Sequence, residues 1–232
     1  VSINIGIEEG IMLTIDDSVR VLNPEAKMGI LAVKDISHSN FMTEGEVAEF
    51  HNYLCRKYAH LERKELKELY PISAYIAYYK KFGSNYHLLA QLESTIKGKK
   101  TATFTSGMLQ AMFLSEMDDM LLTAGHDLAK LHLPLQLKIA TGAEIYQSIS
   151  GKEVSAVEGD LMLTDANGPI SSILKGPDFE SRITSSTTEV LFSVYAPPGI
   201  VAGYIEDSLL KLEKRIMELS TSSRTELLQV FS

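Results

Sequence analysis

A disulfide is the first thing this sequence cannot make. Cys55 is its one cysteine, which also removes any cysteine-rich zinc framework and fits a reducing compartment, so the cytoplasm is the expected address. Long hydrophobic runs are missing as well. No stretch approaches the ~18–20 apolar residues that a membrane-crossing helix needs, and the opening VSINIGIEEG has no basic segment followed by an apolar one. Neither secretion nor membrane insertion is expected. Basic charge is the scarcer sign: 22 Lys and Arg against 30 Asp and Glu give a formal net charge of −8, which opposes general attraction to a polyanion and leaves local patches as the route to phosphate. Several catalytic signatures are absent too. There is no GxxxxGK[ST], no GxGxxG after a strand, no HExxH and no GxSxG, so P-loop hydrolysis and zincin chemistry drop out.

What is present fills a core. Of 232 residues 45% are hydrophobic, with eight Phe and ten Tyr, and with neither a linker nor an internal repeat a single domain over residues 1–232 is expected. GILAVK at 29–34 reads as a buried strand nearly alone in the first half. From Thr43, the residues Val47, Phe50, Leu54, Tyr58 and Leu61 recur at helical spacing. Pro71 suits a first helical turn leading to Tyr75, Ile76 and Tyr79, with Gly83 as a left-handed stop and Asn85 available to start the next segment. Leu88, Leu89, Leu92 and Ile96 then make another apolar face closed by Gly98, and SGMLQAMFLSEMDDM at 106–120 carries a methionine stripe expected to face the core.

Beyond Leu133 the pattern turns to sheet. QLKIAT, IYQSI, EVSAV, DLMLT, ISSIL and EVLFSVYA are short β-rich runs, with Ser150-Gly151 and Asn167-Gly168 placed where hairpins would reverse. Ile205, Leu209, Leu212, Ile216 and Leu219 then mark a closing helix. Helices first, sheet second and a last helix predict an α+β class, because regular βαβ alternation is missing.

Two polar clusters are candidates for chemistry. In LLTAGHDLAKL, His126 and Asp127 stand between apolar stretches; Asp127 has the chemistry of an N-cap for the residues after it, or the pair belongs to a pocket. His126 and His132 would need distant ligands to hold a metal, and no metal or cofactor is expected. In GPDFESRITSSTTEV, the residues Asp178, Glu180, Arg182 and Thr184 sit between two apolar strands, where a loop either lines a concave site or stays solvated with Arg182 paired to Glu180 or Asp178. Lys80-Lys81 and Lys97, Lys99 and Lys100 fall at helix ends, where cations favour the dipole and are placed to meet phosphates.

Taken in order, PISAYIAYYKKFG, LLAQLESTIKGKK, TAGHDL, EGDLMLTDANGPISSILKGPD and RITSSTTEVLFSVYAPPGI resemble the B-three/B-four module, the editing domain of the phenylalanyl-tRNA synthetase β chain, and its free-standing relatives, over roughly residues 28–215. The resemblance implies an α+β fold with a β-sandwich-like core. It also implies hydrolysis of the ester between a wrongly attached tyrosine and the tRNA 3′ end, the amino acid being read through its phenolic hydroxyl. The family motif HAFD falls on Ala124-Gly125-His126-Asp127, so its aspartate matches Asp127 while its histidine lands on Ala124. Its donor-rich segment falls on Ser106-Gly107 with Gln110 nearby, and its acidic pocket residue on Glu180 or Asp178. In this reading His126 orients or activates water, Asp127 holds His126 or the loop, and Ser106, Gln110, Asp178, Glu180, Arg182 and Thr184 contact a small amino-acid-like ligand or an aminoacyl-tRNA. The lysines contact tRNA phosphates. Two alternatives stand beside it: a binding module that keeps the pocket without the chemistry, and an RNA-binding protein indifferent to the aminoacyl group. Oligomeric state stays open.

Overall fold

The computed structural model describes residues 12–37, 40–98 and 104–232. Its first part is largely helical. After β1 (Leu13–Ile15), α1 (Asp17–Leu22) and β2 (Lys27–Lys34) come α2 (Glu44–Tyr58), α3 (Arg63–Glu68), α4 (Ile72–Lys80), α5 (His87–Ile96) and α6 (Gly107–Asp119). Thr43 starts α2 through a capping box with Glu46, satisfying donors that the first turn leaves unpaired. The helix stops at Tyr58, so Leu61 lies beyond it. Gly83 and Gly98 both take positive φ after α4 and α5, 64° and 61°. Tyr86, and not Asn85, occupies the N-cap of α5.

The second part is mostly strand: β3 (Thr123–Asp127), β4 (Leu135–Ile139), β5 (Ile145–Gln147), β6 (Glu153–Ser155), β7 (Leu161–Asp165), β8 (Gly168–Ser172), β9 (Gly176–Pro177) and β10 (Val190–Ala196), then α7 (Ala202–Leu219) and β11 (Arg224–Phe231). The chain is thus α+β. Both anticipated hairpins form, β5 with β6 and β7 with β8. Sequence order and sheet order nevertheless part company, because each main sheet recruits strands from the first half. One sheet has the order β1-β4-β7-β8-β9 and the other β11-β2-β10-β3. The closing helix is therefore followed by one more strand, β11, paired to β2.

In the four-stranded sheet, all seven residues of β10 are buried, which explains a continuous apolar run in place of alternation. Residues opposite one another across the ladder share a face. Phe192 lies opposite Gly125, and Val194 opposite Gly29. This face receives α6 and α7, since a Cβ built on Gly29 would sit 2.5 Å from Ile205 Cγ2 and 3.1 Å from Leu209 Cδ1. The other face carries Leu191, Ser193 and Tyr195 with Ala124 and His126. There the Tyr195 hydroxyl hydrogen-bonds Ser171 on β8, joining the two sheets.

Helix α4 reinforces that joint with three buried phenols. Tyr75 donates to the Tyr195 carbonyl and accepts from Leu122 N–H at 3.0 Å. Tyr78 donates to Asp160 Oδ1 at 2.7 Å and accepts from Leu161 N–H at 2.7 Å, and Tyr79 donates to the Ile173 carbonyl at 3.0 Å. A buried hydroxyl needs a partner; these find theirs on backbone groups and on the Asp160 carboxyl.

Because Gly29 lets α7 approach β2 so closely, Gly29→Ala is expected to overpack the interface and cost about 1–3 kcal/mol. Urea denaturation checks this, and an unchanged midpoint would contradict the packing described.

Candidate functional site

Strand β3 is at the edge of its sheet, so one row of its backbone groups faces away from β10. Three N–H groups lie in that row, from Thr123, Gly125 and Asp127. Asp127 N–H donates to the Ser181 carbonyl at 2.6 Å, and an antiparallel bridge joins His126 to Arg182. Thr123 N–H donates to Glu116 Oε1 on α6 at 2.8 Å. Gly125, between them, lines a cavity of about 520 Å³, within the range of small-molecule sites. Its roof includes Leu109, Met112 and Glu116 of α6; its far wall comprises Ser172 to Pro177, Arg182 and Ile183; His87 and Gln91 of α5 complete it. A Cβ on Gly125 would come within 2.7 Å of Ile183 Cδ1 and 3.2 Å of Met112 Sδ. Glycine here keeps the cavity open and the peptide N–H accessible.

His126 and Asp127 act on the wall of this cavity from behind. The stretch TAGHD is a strand, and Asp127 at its end is also the N-cap that its sequence suggests, starting a short 3-10 helix over Leu128–Lys130. His126 is fully buried, and its Nδ1 lies 2.7 Å from Ser181 Oγ. The Ser181 hydroxyl donates to Asp178 Oδ1, so its single proton is committed and His126 Nδ1 is the donor to it. Nε2 then remains a buried acceptor with no partner among the described residues. Burial opposes ionisation of Asp178, but His126 and the Ser181 hydroxyl and N–H outweigh it and hold the carboxyl below its ordinary value. Asp127 uses both oxygens as well. Oδ1 accepts from Ala129 N–H at 3.2 Å, capping the short turn Leu128–Lys130, and Oδ2 accepts from Thr187 Oγ1 at 2.8 Å. Together these contacts pin residues 178–187 to β3.

The other residues singled out in the sequence disperse. Arg182 reaches the cavity at Gly125, with its guanidinium 3.5 Å from the centre of the Phe179 ring and Nη1 donating to the Phe179 carbonyl at 2.5 Å; it pairs with neither Glu180 nor Asp178. Those two acids face a separate cavity of about 240 Å³ that also includes His132 and Asp165. Thr184 closes its own turn against Ser186 and Thr187. Ser106 is the N-cap of α6, its Oγ accepting from Leu109 N–H. Gln110 accepts from Met42 N–H at 2.8 Å and faces a third cavity, between α2 and α6. Lys80, Lys81 and Lys97 are exposed at the ends of α4 and α5; Lys99 and Lys100 lie outside the described residues.

Glu116 was not among the sequence candidates. It sits in a helix whose acids, Glu116, Asp118 and Asp119, look like a solvated end, yet all three are buried. Asp118 is matched by Arg215 at 3.0 Å and Asp119 by Lys211 at 2.5 Å, whereas Glu116 has no cation within ion-pair distance among the described residues. Burial, only partly offset by the Thr123 N–H, pushes its pKa up to about 8. The readable signal was a helix apolar on more than one side, which cannot keep a wet face.

No protein-family model matches this sequence, and no curated protein matches it. Among solved structures, the chain is similar to an N-terminal fragment of the phenylalanyl-tRNA synthetase beta-subunit from Pyrococcus horikoshii, at 10% sequence identity and a TM-score of 0.48. The similarity covers 97% of this chain and 55% of that one. No helix among the described residues is long and apolar enough to cross a membrane.

Two outcomes follow from the geometry. Asp127→Ala removes a cap and the Thr187 bond, and is expected to cost about 1–2 kcal/mol in chemical denaturation. The Glu116 carboxyl, near 8 when folded against 4.5 ordinarily, keeps a proton that the unfolded chain releases, so stability falls as pH rises between those values. The loss is on the order of 3 kcal/mol by pH 7. Glu116→Gln should flatten this dependence and raise stability at pH 7–8 relative to pH 5; an unaltered pH profile would contradict the buried-acid assignment.

Proposed function

We propose that this chain is a ligand-binding domain of the B-three/B-four type, whose cavity at Gly125 receives a small amino-acid-like molecule or the aminoacyl end of a tRNA. The observation that carries the reading is the cavity itself. Its walls include the stretch 123–125 and, opposite, residues 172–177 with Arg182 and Ile183, which fall in stretches on which the sequence resemblance rests. Apolar side chains from Leu109, Met112, Ile173 and Ile183 supply a body for the ligand, while Glu116, the Gly125 N–H and Arg182 supply polar ends. This mix suits a molecule part hydrocarbon and part charged.

Binding without turnover is favoured over ester hydrolysis by the wiring of His126 and Asp127. A general base must reach the water it activates, and His126 is closed off from the cavity beneath Ser181 while Asp127 has both oxygens engaged. In this reading the two residues hold the wall and do not touch the ligand. The exposed Lys80, Lys81 and Lys97, with Lys175 at the cavity wall, are the available contacts for tRNA phosphates.

Thermal melting with a panel of amino acids and amino-acid esters, run beside deacylation of mischarged tRNAs, tests the reading. A matching ligand at a hundredfold excess over its dissociation constant is expected to add about 2.7 kcal/mol of stability, with no tRNA cleared faster than by buffer. Deacylation that disappears in His126→Ala would instead establish the hydrolytic version. Absence of any melting shift together with charging-independent, steeply salt-dependent RNA binding would favour an RNA-binding protein.

A further inference from the structure

We propose that the cavity at Gly125 selects ligands with a cationic head, an ammonium or amidinium group, and that Glu116 is the residue that receives it. The inference rests on the reading of the cavity as a ligand site and adds the class of ligand.

The two oxygens of the Glu116 carboxyl group have different surroundings. Oε1 is held by Thr123 N–H at 2.8 Å, which fixes the side chain against β3. The Thr123 N–H is the one hydrogen bond the carboxyl accepts among the described residues, and Glu116 forms part of the cavity wall. Its neighbours on α6 show what the protein does with a buried acid when it means to keep the charge: Asp118 and Asp119 each meet a cation from α7. Glu116 meets none. A carboxylate taken out of water needs a counter-ion or a proton. With no cation within ion-pair distance among the described residues, it carries the proton, and a ligand cation entering the cavity would replace it.

The surroundings permit this exchange. The phenols of Tyr75 and Tyr79 from α4, and of Tyr86 at the start of α5, lie near enough to feel the charge of the acid, and all are held neutral by burial. His87 lies on the same wall of α5. Tyr195, Lys175 and Arg182 approach the cavity from β10 and from the opposite wall. Arg182 is turned onto the Phe179 ring and carbonyl. In the exchange the proton of Glu116 passes to buffer and the ligand keeps its own; no bond within the ligand breaks.

The test uses the full chain and paired probes of equal size: 2-phenylethylamine with 2-phenylethanol, and n-hexylamine with n-hexanol, titrated calorimetrically at pH 7 in two buffers of different ionisation enthalpy. The amines are expected to bind at least tenfold more tightly than their alcohols and to release close to one proton each, since an acid with a pKa of about 8 is ~90% protonated at pH 7. In E116Q, which is expected to fold at least as stably, the tenfold preference and the proton release should both vanish. Equal affinity for amine and alcohol, or a preference that survives in E116Q, overturns the cation assignment and leaves the cavity as a ligand site. If no probe binds, while amino-acid ligands also give no melting shift, the cavity reading falls and this inference with it.

Discussion

An edge strand has to dispose of its outward backbone groups, and the way β3 does so organises this molecule. Water would satisfy them on an exposed edge, but β3 is covered by α6 on one side and by residues 172–183 on the other. Each buried N–H must then find an acceptor from protein or ligand. Asp127 takes the Ser181 carbonyl and Thr123 takes Glu116. Gly125 faces the cavity between them. The cavity is thus a gap in strand pairing, bounded at one end by a bridge to Arg182 and at the other by a carboxyl side chain. Its chemistry follows from that origin, since a gap in a ladder offers peptide groups and little bulk.

The same edge is fixed in depth by residues remote in sequence. Tyr75 on α4 accepts from Leu122 N–H, one residue before β3, and donates to the Tyr195 carbonyl on β10. Tyr86 stacks on Tyr75 with ring centres 4.6 Å apart and donates to the Met120 carbonyl at 2.7 Å. These contacts clamp the α6–β3 corner from outside. Stacked rings and satisfied hydroxyls resist sliding in a way that aliphatic packing alone does not. The position of Glu116 relative to Thr123 is therefore set by the aromatic clamp as well as by its own hydrogen bond.

Helices with a strong apolar stripe were legible in sequence, as α2, α5 and α7 show, because their period is a local property. The six β-rich runs and both hairpins were legible for the same reason, with Asn167-Gly168 at a turn that demands positive φ. Besides the two-residue β9, three strands were not. LTI at 13–15 is too short to carry a pattern, RTELLQVF at 224–231 mixes charges into a run that pairs only along one edge, and TAGHD lacks β-branched residues after its first. Their conformation is imposed by partners distant in the chain, by β4, β2 and β10. Propensity has little hold where pairing decides. The site divided in the same manner. The sequence singled out the stretches around Gly125 and around Arg182, but which of their side chains face the cavity depends on strand parity and on what covers each one, and neither is written locally. Glu116 escaped notice because the cations that mark its neighbours as buried come from a helix about a hundred positions later.

Strand parity also decides what His126 can reach. On a helix or turn, moving a side chain by two positions would aim it elsewhere; on a strand, positions two apart share a face and differ by about 6.5–7 Å along it. Ala124 and His126 accordingly lie on the same face of β3. What separates them is cover. Ala124 borders the cavity, while His126 sits beyond the bridge to Arg182, where Ser181 and Asp178 close over it. An imidazole at 124 would extend from the cavity wall. At 126 it becomes a post for the segment that forms that wall, hydrogen-bonded at Nδ1 and enclosed at Nε2. Two positions on one face of β3 therefore differ in role: residue 124 borders the cavity, and His126 holds the neighbouring segment in place.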